Sequence, residues 1–251
     1  MTSSGAAAVT AGGQLKVSSI SRSEAAAQAK GVTIGLGGSV GVNLATATVS
    51  PTLTSHVAGT VSADSITVQS LHNFSEAGAP VDIGAYAKGN SSGGGLLAGG
   101  GVDVDVFADA TLDTRAGGTL NATGGDIRVI SRSNNDALAE ADGLVVGGVG
   151  IGVVLADSTA TGTTASQIDG GDITAVHGNI LVESHNRSAA DTNAEASGGG
   201  IVAGSGVESR ATANPTIEAK VLAGELSAGG DITIRSRSLG DAEAQGRGVN
   251  A

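Results

Sequence analysis

Of the 251 residues, 42 are glycine, none is cysteine or tryptophan, and the aromatic side chains are Phe74, Tyr86 and Phe107. Apolar burial stabilises in proportion to area, so this chain has no conventional bulky core, and a disulfide framework, a Cys-based zinc site and an aromatic-lined pocket are excluded. Thirteen basic against 24 acidic residues leave a net charge of −11, with no Lys/Arg cluster to displace counterions, so no nucleic-acid partner is expected.

The N-terminal Met1-Thr2-Ser3-Ser4-Gly5 lacks the basic start and apolar centre of a signal peptide. No apolar run reaches the roughly 18 residues needed to span a bilayer. Beyond it the chain repeats itself. Five anchor segments alternate apolar and polar residues and end in serine: Gln14 to Ser19, Ser65 to Ser70, Asp126 to Ser131, Asn179 to Ser184 and Asp231 to Ser236. Their starts define a unit of about 52 residues, with an insertion in the second unit placed at about 80–92. Each anchor is followed by alternating alanines (Ala25, Ala27, Ala29; Ala137, Ala139, Ala141), a glycine stretch, a second small-residue stretch and a closing segment. The fifth unit stops at Ala251 and neither end shows a polar capping unit, so the single array 1–251 reads as a slice of a longer one.

Period two in the anchors predicts strands: Ile127, Val129 and Ser131 fall on one face and Arg128, Ile130 and Arg132 on the other. The alanine stretch at Ser23 to Gly31 also fits a short capped helix. Small residues at every second position favour strands there, because they let two sheets approach more closely than the usual ~10 Å. The expected fold is all-β: a β-solenoid, as a right-handed parallel β-helix, with two coils per unit preferred over one. Antiparallel hairpins around the glycine stretch are the rival topology.

The run Gly-Gly-Asp-Ile-x-Val/Ile-x-Ser at Gly125 to Ser131 and Gly230 to Ser236, followed by Ala-x-Ala-x-Ala and Gly-x-Gly, resembles the repeats of giant bacterial surface exoproteins, the filamentous-haemagglutinin-like adhesins. The resemblance spans the whole chain. It implies a non-enzymatic stalk or adhesin segment, extracellular or at the cell surface, that acts as a rigid spacer with adhesive loops. The implied partners are flanking repeats of the same chain and host-cell or matrix glycans or proteins. Unblocked strand edges at the ends add end-to-end self-association. The alternative is a β-helix module that binds or cleaves glycans.

No cofactor is expected. Gly93 to Ala98 and Gly198 to Ala203 fit a loose dinucleotide fingerprint, but they occupy corresponding places in the repeat and read as a structural corner. Asp103, Asp105, Asp109 and Asp113 share one strand face. Successive same-face residues stand about 6.8 Å apart, too far to chelate an ion without a turn, so the reading is a solvated acidic face with calcium as the alternative. His72 and His185 follow corresponding anchors and read as exposed positions of variable polarity. Within the insertion, Tyr86 and Lys88 are the candidate binding-loop residues, because loops added to a regular scaffold commonly carry recognition.

Overall fold

The computed structural model describes residues 7–251 and is all-β, with no helix among the described residues. β1 (Ala8–Thr10) precedes the first unit, which contributes β2 (Gln14–Ser21), β3 (Ala25–Val49), β4 (Thr52–Val57) and β5 (Thr60–Ala63). β6 (Ser65–His72), β7 (Ala85–Gly117) and β8 (Thr119–Ala122) follow, then β9 (Ile127–Gly170) and β10 (Asp172–Ala175). The last are β11 (Ile180–Ala213), β12 (Thr216–Val221), β13 (Glu225–Ala228) and β14 (Ile232–Asn250). The alanine stretches are strands: Ala25 opens β3, and Ala137, Ala139 and Ala141 lie within β9.

All named strands pair in parallel, each with its counterpart one repeat away. Gln14 faces Ser65, Ile66 faces Ile127, Ile127 faces Ile180 and Ile180 faces Ile232. One repeat is therefore one layer, which corrects the preference for two. The second small-residue stretch does not pair with the first; it pairs with its own equivalents, Ala108 with Ala160 and Ala160 with Ala213. The hairpin rival fails on the same ground, since the only antiparallel contact among the described residues is the isolated bridge Phe74–Pro80.

Within a unit the chain runs out, turns at the glycine stretch and comes back. In the third unit residues 127–146 form an outbound arm of roughly 65 Å at ~3.3 Å per residue, and the rest of β9 returns along its inner face. Buried Ala137, Ala139 and Ala141 meet Val154, Ala156 and Ala160 across the gap. Where one arm turns valine inward, the other supplies glycine. A β-carbon on Gly143 would stand 2.6 Å from Val154 Cγ2, closer than packed atoms approach, so the arms need glycine there.

At the other end of the arms three segments converge, and larger aliphatic side chains fill the wider gap. Ile66, Ile127 and Ile180 of the anchors pack with Leu120 and Ile173 of the short strands and with Ala116 and Ile168 of the return arms. The short strands form a separate sheet, ordered β1-β5-β8-β10-β13. The corner before β5, β8, β10 and β13 is a left-handed glycine, with φ of 97° at Gly59, 83° at Gly118, 97° at Gly171 and 101° at Gly224.

Serines that close the anchors cross-link the arms, and Ser131 and Ser184 do so from buried positions. Ser19, Ser131 and Ser184 donate to the carbonyls of Thr54, Ala165 and Glu218 at 2.7, 2.6 and 2.6 Å. Return-arm hydroxyls answer into the next unit, Ser55 to Gln69 O and Ser166 to Glu183 O, both at 2.7 Å. Backbone carbonyls turned into the core are thereby partly satisfied. The first residue of the anchor works similarly between layers: Asn179 N–H donates to Asp126 Oδ1 at 2.8 Å, and Asp231 N–H to Asn179 Oδ1 at 2.7 Å.

Adjacent positions of β11 test the closeness of the arms. Ala194 is fully buried and Asn193 is exposed. Ala194→Leu is expected to cost about 1–3 kcal/mol by overpacking, and Asn193→Leu less than about 0.5 kcal/mol. Urea denaturation of both variants checks it; equal effects would contradict the packing described.

Candidate functional site

The pairing offset locates the insertion. Ile66 pairs with Ile127, but Ala85 pairs with Ala137, so the extra residues lie between His72 and Ala85. The expected position at 80–92 is corrected. Tyr86 and Lys88 are consequently not loop residues. Both lie in β7, where the Tyr86 hydroxyl donates to Glu140 Oε2 at 2.7 Å and Lys88 Nζ pairs with the same oxygen at 2.9 Å and with Asp142 at 3.6 Å. Burial and the Glu140 contact raise the Tyr86 phenol above its usual range. The pair ties one layer to the next.

The true insertion, residues 73–84, folds over the outer face of the neighbouring layers. Asn73 starts it at φ 48°, the one positive φ outside glycine among the described residues. Its amide donates to Ile83 O at 2.9 Å and Ser23 O at 3.1 Å, which repays the left-handed conformation. Asn134 Nδ2 donates to Val81 O at 3.0 Å. Phe74 is buried beneath the loop, its ring centroid 5.5 Å from that of His185.

Beside this loop is a notch of about 250 Å³ lined by Gly78, Arg132, Glu183, His185, Arg235 and Arg237. The register creates it by stacking Arg132, His185 and Arg237 in one column and Glu183 and Arg235 in the next. Glu183 is buried, with 6% of its side chain exposed. Arg132 grips Oε1 through Nε and Nη2 at 2.8 and 2.6 Å, and Arg235 grips Oε2 through Nε at 2.7 Å. Burial alone would raise the Glu183 carboxyl, but the two guanidinium groups outweigh it and hold it below the usual range. Burial lowers His185 below its ordinary value, with the neighbouring arginines adding to the effect against Glu183, so the ring is neutral at pH 7. Arg237 has no ion-pair partner among the described residues.

Three guanidinium groups against one carboxylate leave the notch positive on a strongly acidic protein. Arginine forks match carboxylate and sulfate groups, so the arrangement suits binding of an anionic group. Both Glu183 oxygens are already engaged, which leaves it no role as a proton acceptor. Periodicity alone shows none of this: the cluster exists because side chains 52–53 positions apart become neighbours once the layer size is known.

The four aspartates do not converge. Asp103 pairs with Leu155, Asp105 with Asp157 and Asp109 with Thr161, while Asp113 is taken by Arg115 at 2.8 Å. Asp105 is pushed up by burial and by the charges of Asp103 and Asp157. No group of three His, Cys, Asp or Glu able to hold a metal occurs among the described residues. His185 is in register with Arg132 and Arg237, whereas His72 pairs with Ser133 and points inward. His72 is 1% exposed with both ring nitrogens unpartnered, and burial lowers it to about 4; its expected exposure is corrected. The glycine-rich fingerprints lie where the arms turn. Comparison with protein-family models, curated proteins and solved structures gives no match.

Glu183→Gln removes the charge that holds Arg132 and Arg235 together and is expected to cost about 2 kcal/mol at pH 7. Because the folded carboxyl titrates below its unfolded value near 4.5, its contribution is full above that value and lost as pH falls through the lower folded one. The gap between wild type and variant should therefore shrink from pH 7 to pH 3. Denaturation curves at both values check it; a constant gap would show that the charge is not what stabilises.

Proposed function

We propose that the chain is a β-solenoid, a right-handed parallel β-helix with one ~52-residue repeat per coil, and that it serves as a structural stalk segment of a large secreted or cell-surface bacterial repeat protein. The observation that carries this reading is the unbroken parallel register: each unit is bonded to the next from anchor through arm to short strand. Parallel crossovers are almost always right-handed, and a stack in which each layer contacts its neighbours gives stability that adds by repeat. The absence of cysteine and the acidic charge fit an exported, highly soluble spacer. The role is mechanical rather than catalytic, with flanking repeats as the primary partners.

Duplicating residues 127–179 in tandem tests the reading. The lengthened chain should fold, gain about 4.8 Å along the stacking axis by X-ray scattering, keep its cross-section and denature at higher urea. Failure to fold, or a changed cross-section, would refute it.

A second reading rests on the notch. The arginines beside the insertion favour recognition of an acidic glycan, making this segment an adhesive module as well as a spacer. A uronic-acid oligosaccharide and a sulfated one are the probes. Calorimetry should show salt-sensitive binding of at least one, weakened about tenfold by Arg237→Ala, the loss of one charge-assisted contact. No binding by either probe, or equal binding by the variant, would remove this reading and leave the stalk reading intact.

A further inference from the structure

The outer faces of the arms carry a second periodicity that spans two repeats. On the return arms Val40 pairs with Gly99, Gly99 with Ile151 and Ile151 with Gly204. The next column runs Val42, Gly101, Val153, Gly206, and the one after it Leu44, Asp103, Leu155, Glu208. The outbound arms repeat the alternation with Val32, Ser92, Leu144, Ser197. In the two glycine columns units one and three raise ridges of branched side chains and units two and four leave grooves; on one side the carboxylates of Asp103 and Glu208 stand between the leucines, and on the other the column Gly38, Leu97, Val149, Val202 does not alternate. Ridges recur every two layers, about 9.6 Å apart.

In unit four the chain's own packing does not require these grooves, and in unit two a β-carbon would stand 3.3 Å from Val40 Cγ2 on Gly99 and 3.5 Å from Val42 Cγ2 on Gly101. A β-carbon on Gly204 would meet nothing within 4 Å, and on Gly206 only Val153 Cγ2 at 3.9 Å. Neither glycine has a positive φ. The ridges are bare as well, Val40 being 79% and Ile151 60% exposed. Leu97, Val149 and Val202 lie on the same face, 59%, 36% and 59% exposed, and extend the apolar surface.

We propose that this face pairs with the same face of a second copy, related by a two-fold axis along the strand direction. That operation sets unit one on unit four and unit two on unit three, so Val40 and Val42 enter the grooves at Gly204 and Gly206, and Ile151 and Val153 those at Gly99 and Gly101. A two-fold along the stacking axis would set each ridge on itself. The occupant is a second copy because the corrugation is its own complement. A bilayer has no ridges to seat, and the border of Asp103, Asp105, Asp157 and Glu208, with Arg210 against Asp157 and Glu208 as its one cation, stays net negative and repels anionic headgroups. The same border repels its equivalent across the pair, so pairing strengthens as salt screens it. This contact is lateral and distinct from association through strand edges.

Sedimentation velocity should show a concentration-dependent dimer that tightens with salt. Gly204→Leu/Gly206→Leu adds apolar area but fills the grooves, and should weaken the dimer at least tenfold while leaving the melting temperature within a few degrees. Unchanged or stronger association would overturn the proposal, since indiscriminate stickiness grows with added leucine. The chain has no cysteine, so a mixture of Gly101→Cys and Val153→Cys chains should oxidise to a cross-linked dimer, while Val153→Cys alone should not. End-to-end stacking keeps units two and three apart and gives no such product. Its absence, or a monomer at every concentration, would overturn the pairing even where the double leucine variant failed to fold.

Discussion

Two sheets in this protein lie close enough that a methyl group is the ordinary limit on what an arm can turn inward. Alanine against alanine, and glycine against valine, are the combinations that fit, as Gly143 against Val154 shows. Each inward residue buries little area and contributes little, so stability has to accumulate over many equivalent positions. Backbone hydrogen bonds between layers hold the arms straight enough for those positions to coincide. The composition, with 42 glycines and three aromatics, follows from that geometry.

Much of this was legible in the sequence because a two-residue period and a 52-residue period are both visible in the letters. The five anchors, their strand character and the alternation of small residues are in the structure as read. The number of layers per unit was not legible. Outbound and return arms have nearly the same small-residue pattern, so a unit resembles two similar halves, and only the pairing of Ala160 with Ala108 and Ala213 separates them. The insertion was displaced for a related reason. Tyr86 and Lys88 look foreign beside Ala26 and Gln28, their partners in β3, yet outward positions tolerate any residue and composition there says little about register.

The candidate site was hidden by the same freedom. Outward side chains are unconstrained by the core, so Arg132, Glu183 and Arg235 carry no periodic mark in the sequence. A signal existed nonetheless: aligned on their anchors, successive units place opposite charges in one column at Glu183 and Arg235. Inward positions hold polar groups under stricter terms. Ser131 and Ser184 succeed because each finds a carbonyl on the opposite arm, whereas His72 finds no partner and stays neutral at the cost of a lowered proton affinity.

The insertion adds what a layered array otherwise lacks. Layers touch only their neighbours, so one layer can loosen without involving those further along. Residues 73–84 reach across that order. Glu76 pairs with Lys16 of the first unit, Asn134 of the third holds Val81, and Asp82 lies 3.8 Å from Arg187 of the fourth. The exposed ion pairs contribute little singly, but Phe74 is buried against His185 and fixes the loop where those pairs form. One short excursion from the repeat thus couples four layers and builds one wall of the positive notch. Cohesion and recognition in this chain come from the same departure from regularity.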